Sequence, residues 1–241
     1  MAAGLRQELT QLQKSMLKLL SFADLISISN ALFGIIAILV LFTNVVEFVD
    51  LRLRVSFSFI FLALLADGLD GIVARRFGKS EIGEYLEAMG DMTSLVIAPA
   101  VFTYVVYFSS ISSDVLRLSY MFIALILFLF FGVIRLASFH IMKDKHFFIG
   151  LPASVSTIIL LVLVYFKTDF VYILFVVIVI GALMASDIKF PKPGIIINGI
   201  AMVLILLTLI FDKTFYGFAP ILLLAAILFY AIVGPIYKNF W

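Results

Sequence analysis

The stretch DGLDGIVARRFGKSEIGEYLEAMGD, residues 67–91, places four carboxylates, Asp67, Asp70, Glu87 and Asp91, in the most hydrophobic part of the chain. Acids at membrane depth are costly and are kept where a partner neutralises them. Four acids together cannot neutralise one another, so a divalent cation is the expected partner. The spacing predicts two antiparallel helices joined by the short loop 76–82, with Gly78 at its turn. Asp67 and Asp91 each lie twelve residues from Lys79, while Asp70 lies nine away and Glu87 eight. Antiparallel packing sets Asp67 level with Asp91 and Asp70 level with Glu87. At 1.5 Å per residue, Asp67 sits roughly 13 Å in from Arg76, in the inner third of a bilayer. Asp67, Gly71 and Ala74 recur on one helical stripe, and Gly83, Glu87, Gly90, Asp91 and Ser94 on another. Small residues beside the acids are expected to let the two helix backbones approach closely.

The rest of the chain agrees with a membrane setting. Of 241 residues, 64% are hydrophobic and 13% charged, and the mean hydropathy is +1.23. Apolar runs of about twenty residues, enough to cross some 30 Å of hydrocarbon, recur throughout. The expected fold is an all-α integral membrane protein, one polytopic domain over residues 1–241 with about eight transmembrane helices. The spans fall near 23–46, 54–76, 83–108, 116–141, 148–166, 170–186, 194–211 and 216–237. Lys167, Thr168 and Asp169 alone separate the fifth and sixth, which suits a tight helical hairpin. Residues 1–21 read as an N-terminal amphipathic interfacial helix, with Leu5, Leu9, Leu12, Met16 and Leu19 on one face. A solvent-exposed helical extension is the alternative there. Residues 22–190 form a six-helix core, and 194–237 add two C-terminal spans that serve packing or a homodimer surface.

With the N-terminus inside, twelve Lys and Arg residues fall on the inner segments and five (Arg52, Arg54, Arg117, Lys167, Lys213) on the outer ones. That bias predicts both termini and the mouth of the acidic site on the cytoplasmic face of the cell membrane. A net charge of +2 does not suggest nucleic acid, and the absence of cysteine excludes disulfides and thiolate metal sites. An all-oxygen acidic set suits Mg²⁺ or Mn²⁺, and two such ions typically clamp the attacking and leaving oxygens of a phosphoryl substitution. An ion-coupled transporter is the reading from another class. It favours a midplane site on broken helices with internal repeats, and neither is apparent.

The run Asp67-x2-Asp70-Gly71-x2-Ala74-Arg75-x7-Gly83-x3-Glu87-x3-Asp91 resembles the signature of the CDP-alcohol phosphatidyltransferase family, D-x2-D-G-x2-A-R-x8-G-x3-D-x3-D. Four further runs resemble its serine-accepting branch: residues 93–100, Arg135 to Phe139, Gly150 to Ala153, and Leu183 to Lys192. The resemblance implies transfer of a phosphatidyl-type group from CDP-diacylglycerol or CDP-archaeol to the hydroxyl of L-serine, releasing CMP. It implies metal binding by Asp67, Asp70 and Glu87 together with Asp91, which is also implied as the base. A CDP site formed by Asp67, Gly71, Ala74, Arg75 and Gly83 is implied as well. The chain departs from the signature in two places. Glu87 stands where the family has Asp, and the stretch from Arg75 to Gly83 is one residue shorter. Both departures bear on the catalytic geometry, since a methylene displaces a carboxylate by about a bond length.

A serine carboxylate requires a cation, and Arg135 is the first candidate for it, then Lys79, Lys143 and Lys189; an interfacial anchor is the alternative for each. His140 and His146 read as interfacial polar residues. Gly150-Leu151-Pro152 reads either as a plain helix start or as a wall of the acceptor pocket. The sister alternative is a transferase using inositol phosphate or glycerol phosphate, and an inactive scaffold is a third.

Overall fold

The computed structural model describes residues 19–43, 49–78, 80–139, 141–142, 144, 146–212 and 214–236. The expected interfacial helix, Lys79, His140 and Lys143 lie outside them, as do the side chains of Ala74 and Arg75. Eight helical segments among the described residues follow the expected spans: α1 Phe22–Phe42, α2 Val49–Phe77, α3 Gly83–Ile111, α4 Val115–Phe139, α5 Ala153–Tyr165, α6 Phe170–Met184, α7 Ile195–Phe211 and α8 Phe218–Ile236. Five of them, α1 to α4 and α8, are long and apolar enough to cross a membrane; α5, α6 and α7 are shorter apolar helices.

Local chemistry sets the boundaries. Helix α1 opens on a reciprocal cap: the Ser21 N–H donates to Asp24 Oδ2 (2.6 Å) and the Asp24 N–H to Ser21 Oγ (3.3 Å). Helix α5 begins five residues later than expected. Gly150 takes a left-handed φ of +76°, and Pro152 occupies the N-cap. The residues before that break form a strand, β1 Phe147–Ile149, which pairs antiparallel with β2 Lys189–Pro191. This two-stranded ribbon corrects the purely helical expectation. Two three-residue segments, Phe-Phe-Ile before Gly150 and Lys-Phe-Pro between α6 and α7, find ladder partners in each other rather than extending the neighbouring helices.

Helix α3 is not uniform. Residues Met92–Ile97 form a π-helical turn between α-helical segments. Pro99 has no N–H to offer the Leu95 carbonyl four residues back, and such a gap loosens a helix. Thr157 of α5 fills it, its hydroxyl reaching the Leu95 carbonyl at 2.6 Å. The bulge directly follows Asp91.

The expectation that glycines draw α2 and α3 together is corrected. Helix α1 packs extensively on α2 and also on the acidic part of α3, whereas those parts of α2 and α3 make few direct contacts. A Cβ on Gly34 of α1 would lie 2.7 Å from Ser94 Cα, and one on Gly90 would lie 2.9 Å from the Ser27 carbonyl. The small residues therefore serve the α1–α3 seam. Helix α1 has its own small and polar stripe, and that stripe complements Gly90 and Ser94.

Helix α5 lies at the centre and is buried along nearly its whole length, packing on α3, α6 and α8. At the end of the bundle opposite the acidic cluster, Asp212 is 3% exposed. It pairs with the Arg54 guanidinium and accepts a hydrogen bond from the Tyr165 hydroxyl at 2.9 Å. This joins α7 to α2 and α5. The hairpin between α5 and α6 forms as expected, with Asp169 capping α6 through the Val171 N–H at 2.9 Å.

Gly34→Ala is expected to destabilise the protein by about 1–3 kcal/mol, because the new methyl meets backbone that cannot give way. Gly199→Ala, where a Cβ meets open space, should be neutral or stabilising by up to about 1 kcal/mol. Thermal unfolding of the two variants in detergent measures the contrast.

Candidate active site

Three helices converge on the acids. Asp67 and Asp70 come from α2, Glu87 and Asp91 from α3, and Ser27 and Asn30 from α1. Asp91 is in side-chain hydrogen-bond contact with Asp67 and in electrostatic contact with Glu87. Asp67 and Asp91 thus meet across the two helices, as the spacing predicts. Asp70 is buried, 3% exposed, and accepts a hydrogen bond from the Ser27 hydroxyl. The Asn30 amide donates to Asp91 Oδ1 at 2.9 Å, and its own oxygen accepts from the Ser94 hydroxyl at 2.6 Å. A buried polar chain of this kind fixes rotamers because each lost partner costs a desolvation penalty of about 1–3 kcal/mol.

Ser27 and Asn30 are not among the residues expected from the sequence. Their signal was present: Asp24, Ser27 and Asn30 recur every three residues in an otherwise apolar span, with Gly34 one turn further on. Of the expected nucleotide-binding positions, Gly83 is buried at the start of α3 and Gly71 is half-buried one residue beyond Asp70.

Arg135 approaches from the far side. It is buried on α4 at 7% exposure, with Nε donating to the Leu151 carbonyl (3.3 Å) and the guanidinium 5.2 Å from the Phe139 ring centroid. It also lies within electrostatic range of Asp91. The Gly150-Leu151-Pro152 turn therefore supplies a carbonyl that aims this cation. Arg135 lines a small open cleft together with Ser138, Asp144, Ser186, Asp187 and Lys192. The cleft thus gathers residues from two of the sequence runs singled out above, Arg135 to Phe139 and Leu183 to Lys192, which are far apart in the chain. Lys189 sits above the Phe147 ring on the ribbon, and His146 is exposed at its edge.

The donors around Asp67, Asp70, Glu87 and Asp91 are all oxygen, the chemistry of a hard-cation site. Among the described residues, no three such side chains are drawn together in a ligand arrangement. The donor set fits a divalent ion by type. Coordination would require these carboxylates to exchange their present hydrogen bonds for the ion.

Taken together, the apolar bundle and its buried acids define a polytopic helical membrane protein with a polar site at one end. The chain matches the CDP-alcohol phosphatidyltransferase family over residues 20–232, and it belongs to that family. It is 33% identical over 179 residues to a CDP-diacylglycerol–serine O-phosphatidyltransferase of Methanocaldococcus jannaschii, covering 74% of this chain and 77% of the relative. It is 29% identical over 187 residues to an archaetidylserine synthase of Methanothermobacter thermautotrophicus, covering 74% and 73%. A Helicobacter pylori serine O-phosphatidyltransferase matches at 29% over 166 residues, covering 63% of this chain and 68% of the relative.

At the rim of the cleft, the amide groups of His146 and Phe147 donate to Asp144 Oδ1 at 2.8 and 3.1 Å. These bonds favour the ionised form and hold the Asp144 carboxyl below its usual range. A depressed folded-state value means that the loop's stabilisation is complete above the ordinary aspartate value of about 3.9. It is lost as pH falls through the folded-state value. Amide exchange at His146 and Phe147, corrected for intrinsic rate, should accelerate in acid, and Asp144→Ala should abolish that dependence.

Proposed function

We propose that this protein transfers the phosphatidyl-type group of a CDP-lipid to the hydroxyl of L-serine, releasing CMP. The observation that carries this reading is Arg135, a buried guanidinium within electrostatic range of Asp91 at a polar cleft. An amino-acid acceptor brings a carboxylate, which a single planar guanidinium suits. The names of the relatives agree with serine.

Asp67, Asp70, Glu87 and Asp91 are the residues that would hold Mg²⁺ or Mn²⁺, with two ions as the expected stoichiometry. A bound divalent ion would offset the charge of the diphosphate and of the departing CMP. Asp67, Gly71, Ala74, Arg75 and Gly83 would receive the CDP portion. Arg135 would hold the serine carboxylate, with Lys79 as a second cation. The serine hydroxyl oxygen then attacks the lipid-bearing phosphorus in line. Its new P–O bond forms as the bond to the CMP phosphate oxygen breaks, and CMP leaves with that oxygen. The hydroxyl proton passes to Asp91, which Asn30 and Ser94 hold in place. Glu87 supplies the same oxygen chemistry as aspartate on a longer stem, and the loop before Gly83, shorter by one residue, lets α3 begin closer to Arg75. The expected setting is the cell membrane, with eight spans, the site open to the cytoplasm, and the protein working as a homodimer.

Purified protein incubated with CDP-lipid and a panel of alcohols should release CMP with serine in preference to the phosphorylated acceptors. EDTA should stop the release, and Mg²⁺ or Mn²⁺ should restore it. Asp91→Asn should lower turnover by about 100- to 10,000-fold with CDP-lipid binding retained. Turnover that survives in this variant rules out Asp91 as the base. Arg135→Lys should raise the KM for serine about tenfold or more, because an ammonium cannot reproduce the two-pronged contact.

A further inference from the structure

We propose that Tyr230 of α8 is a positioning residue for the acceptor side of the site, acting through the β1–β2 ribbon. The Tyr230 hydroxyl donates to the Pro191 carbonyl at 2.9 Å, and its ring lies 6.4 Å from the buried Phe190 ring. One turn on, a Cβ at Gly234 would lie 3.0 Å from Pro191 Cδ, so α8 is seated against β2 at two successive turns. The hold extends beyond the strand. Pro191 and Phe190 pair with Phe147 and Phe148 of β1. Next to Pro191, the Lys192 N–H donates to the His146 carbonyl at 2.8 Å, and its ammonium donates to the Asp144 carbonyl at 2.6 Å.

On the other strand the chain runs from Ile149 into the Gly150 turn. The Gly150 N–H donates to the Ile188 carbonyl at 2.8 Å and the Leu151 N–H to the Leu183 carbonyl at 2.9 Å. Gly150 cannot carry a side chain, because a Cβ there would lie 2.2 Å from the Met184 carbonyl oxygen. The Leu151 carbonyl then accepts from Arg135 Nε. A continuous set of hydrogen bonds thus joins α8 to the guanidinium through a ribbon of only three residues per strand. A ladder that short is marginal by itself and depends on what it is packed against. Helix α8 is that support, so it belongs to the acceptor site rather than only to the lipid boundary.

The catalytic part of this proposal rests on the reading that Arg135 receives the serine carboxylate. Tyr230→Phe removes one hydroxyl and keeps the ring on Phe190. The KM for serine should rise three- to tenfold, while kcat and the KM for CDP-lipid stay within twofold. Gly234→Leu, which pushes α8 off Pro191, should shift the serine KM in the same direction and further. Hydrogen exchange in detergent should show faster opening of residues 147–151 and 189–192 in Tyr230→Phe, with α1 to α3 unchanged. An unchanged serine KM in an active Tyr230→Phe enzyme overturns the positioning role. Equal rises in both KM values with a lowered melting temperature also overturn it, since they mark a general structural defect. Wild-type protein that releases no CMP with serine defeats the reading beneath and with it the acceptor role. Unchanged ribbon exchange then decides separately against the latch.

Discussion

The constraint on which this structure depends is the cost of holding four carboxylates within an apolar bundle. That cost falls only where each oxygen has a donor or a cation, and α1 is the element that brings donors to the acids. The Ser27 hydroxyl meets Asp70, and the Asn30 amide meets Asp91 while Ser94 fixes the amide's orientation. Such contacts require α1 to lie close to α3, which explains why Gly34 and Gly90 face it where a methyl would clash. Backbone proximity and polar satisfaction are one requirement here, since short side chains such as Ser and Asn reach only across a tight seam.

A second strand of the architecture runs through α5. Its burial makes it the axis on which the other helices pack, and its polar residues are used rather than merely tolerated. Thr157 completes the carbonyl that Pro99 leaves open, and the resulting π turn immediately follows Asp91. Irregular helical turns of this type recur at functional sites because they redirect a helix without ending it. At the opposite end, Tyr165 on the same helix donates to Asp212, which is paired with Arg54. One helix therefore braces the bundle at both ends, close to the acidic cluster and far from it.

The acidic pair Asp67 and Asp91 was legible in the sequence because helical rise and the position of the loop fix depth on two antiparallel segments whatever lies between them. The eight helical segments were legible for a similar reason, as apolar runs broken by charged or turn residues. The ribbon was not. Three-residue strands carry no periodic pattern of their own, and Phe147 to Ile149 continues into an apolar run that reads as the start of a span. The roles of Ser27 and Asn30 were hidden because single small polar residues in a membrane helix often serve packing. Only their partners on α2 and α3 reveal more.

By itself, the sequence determined the membrane setting, the number and order of helical segments, and the matching level of Asp67 and Asp91 on two of them. Each of these depends on local hydrophobicity and on the fixed rise of a helix. Tertiary structure alone decided which helix lies against the acids, how the Leu151 carbonyl holds Arg135 from a distant part of the chain, and how α8 packs on the ribbon beside it. Those are contacts between residues tens to more than a hundred positions apart, and no periodicity along one segment can encode which distant surface it will meet.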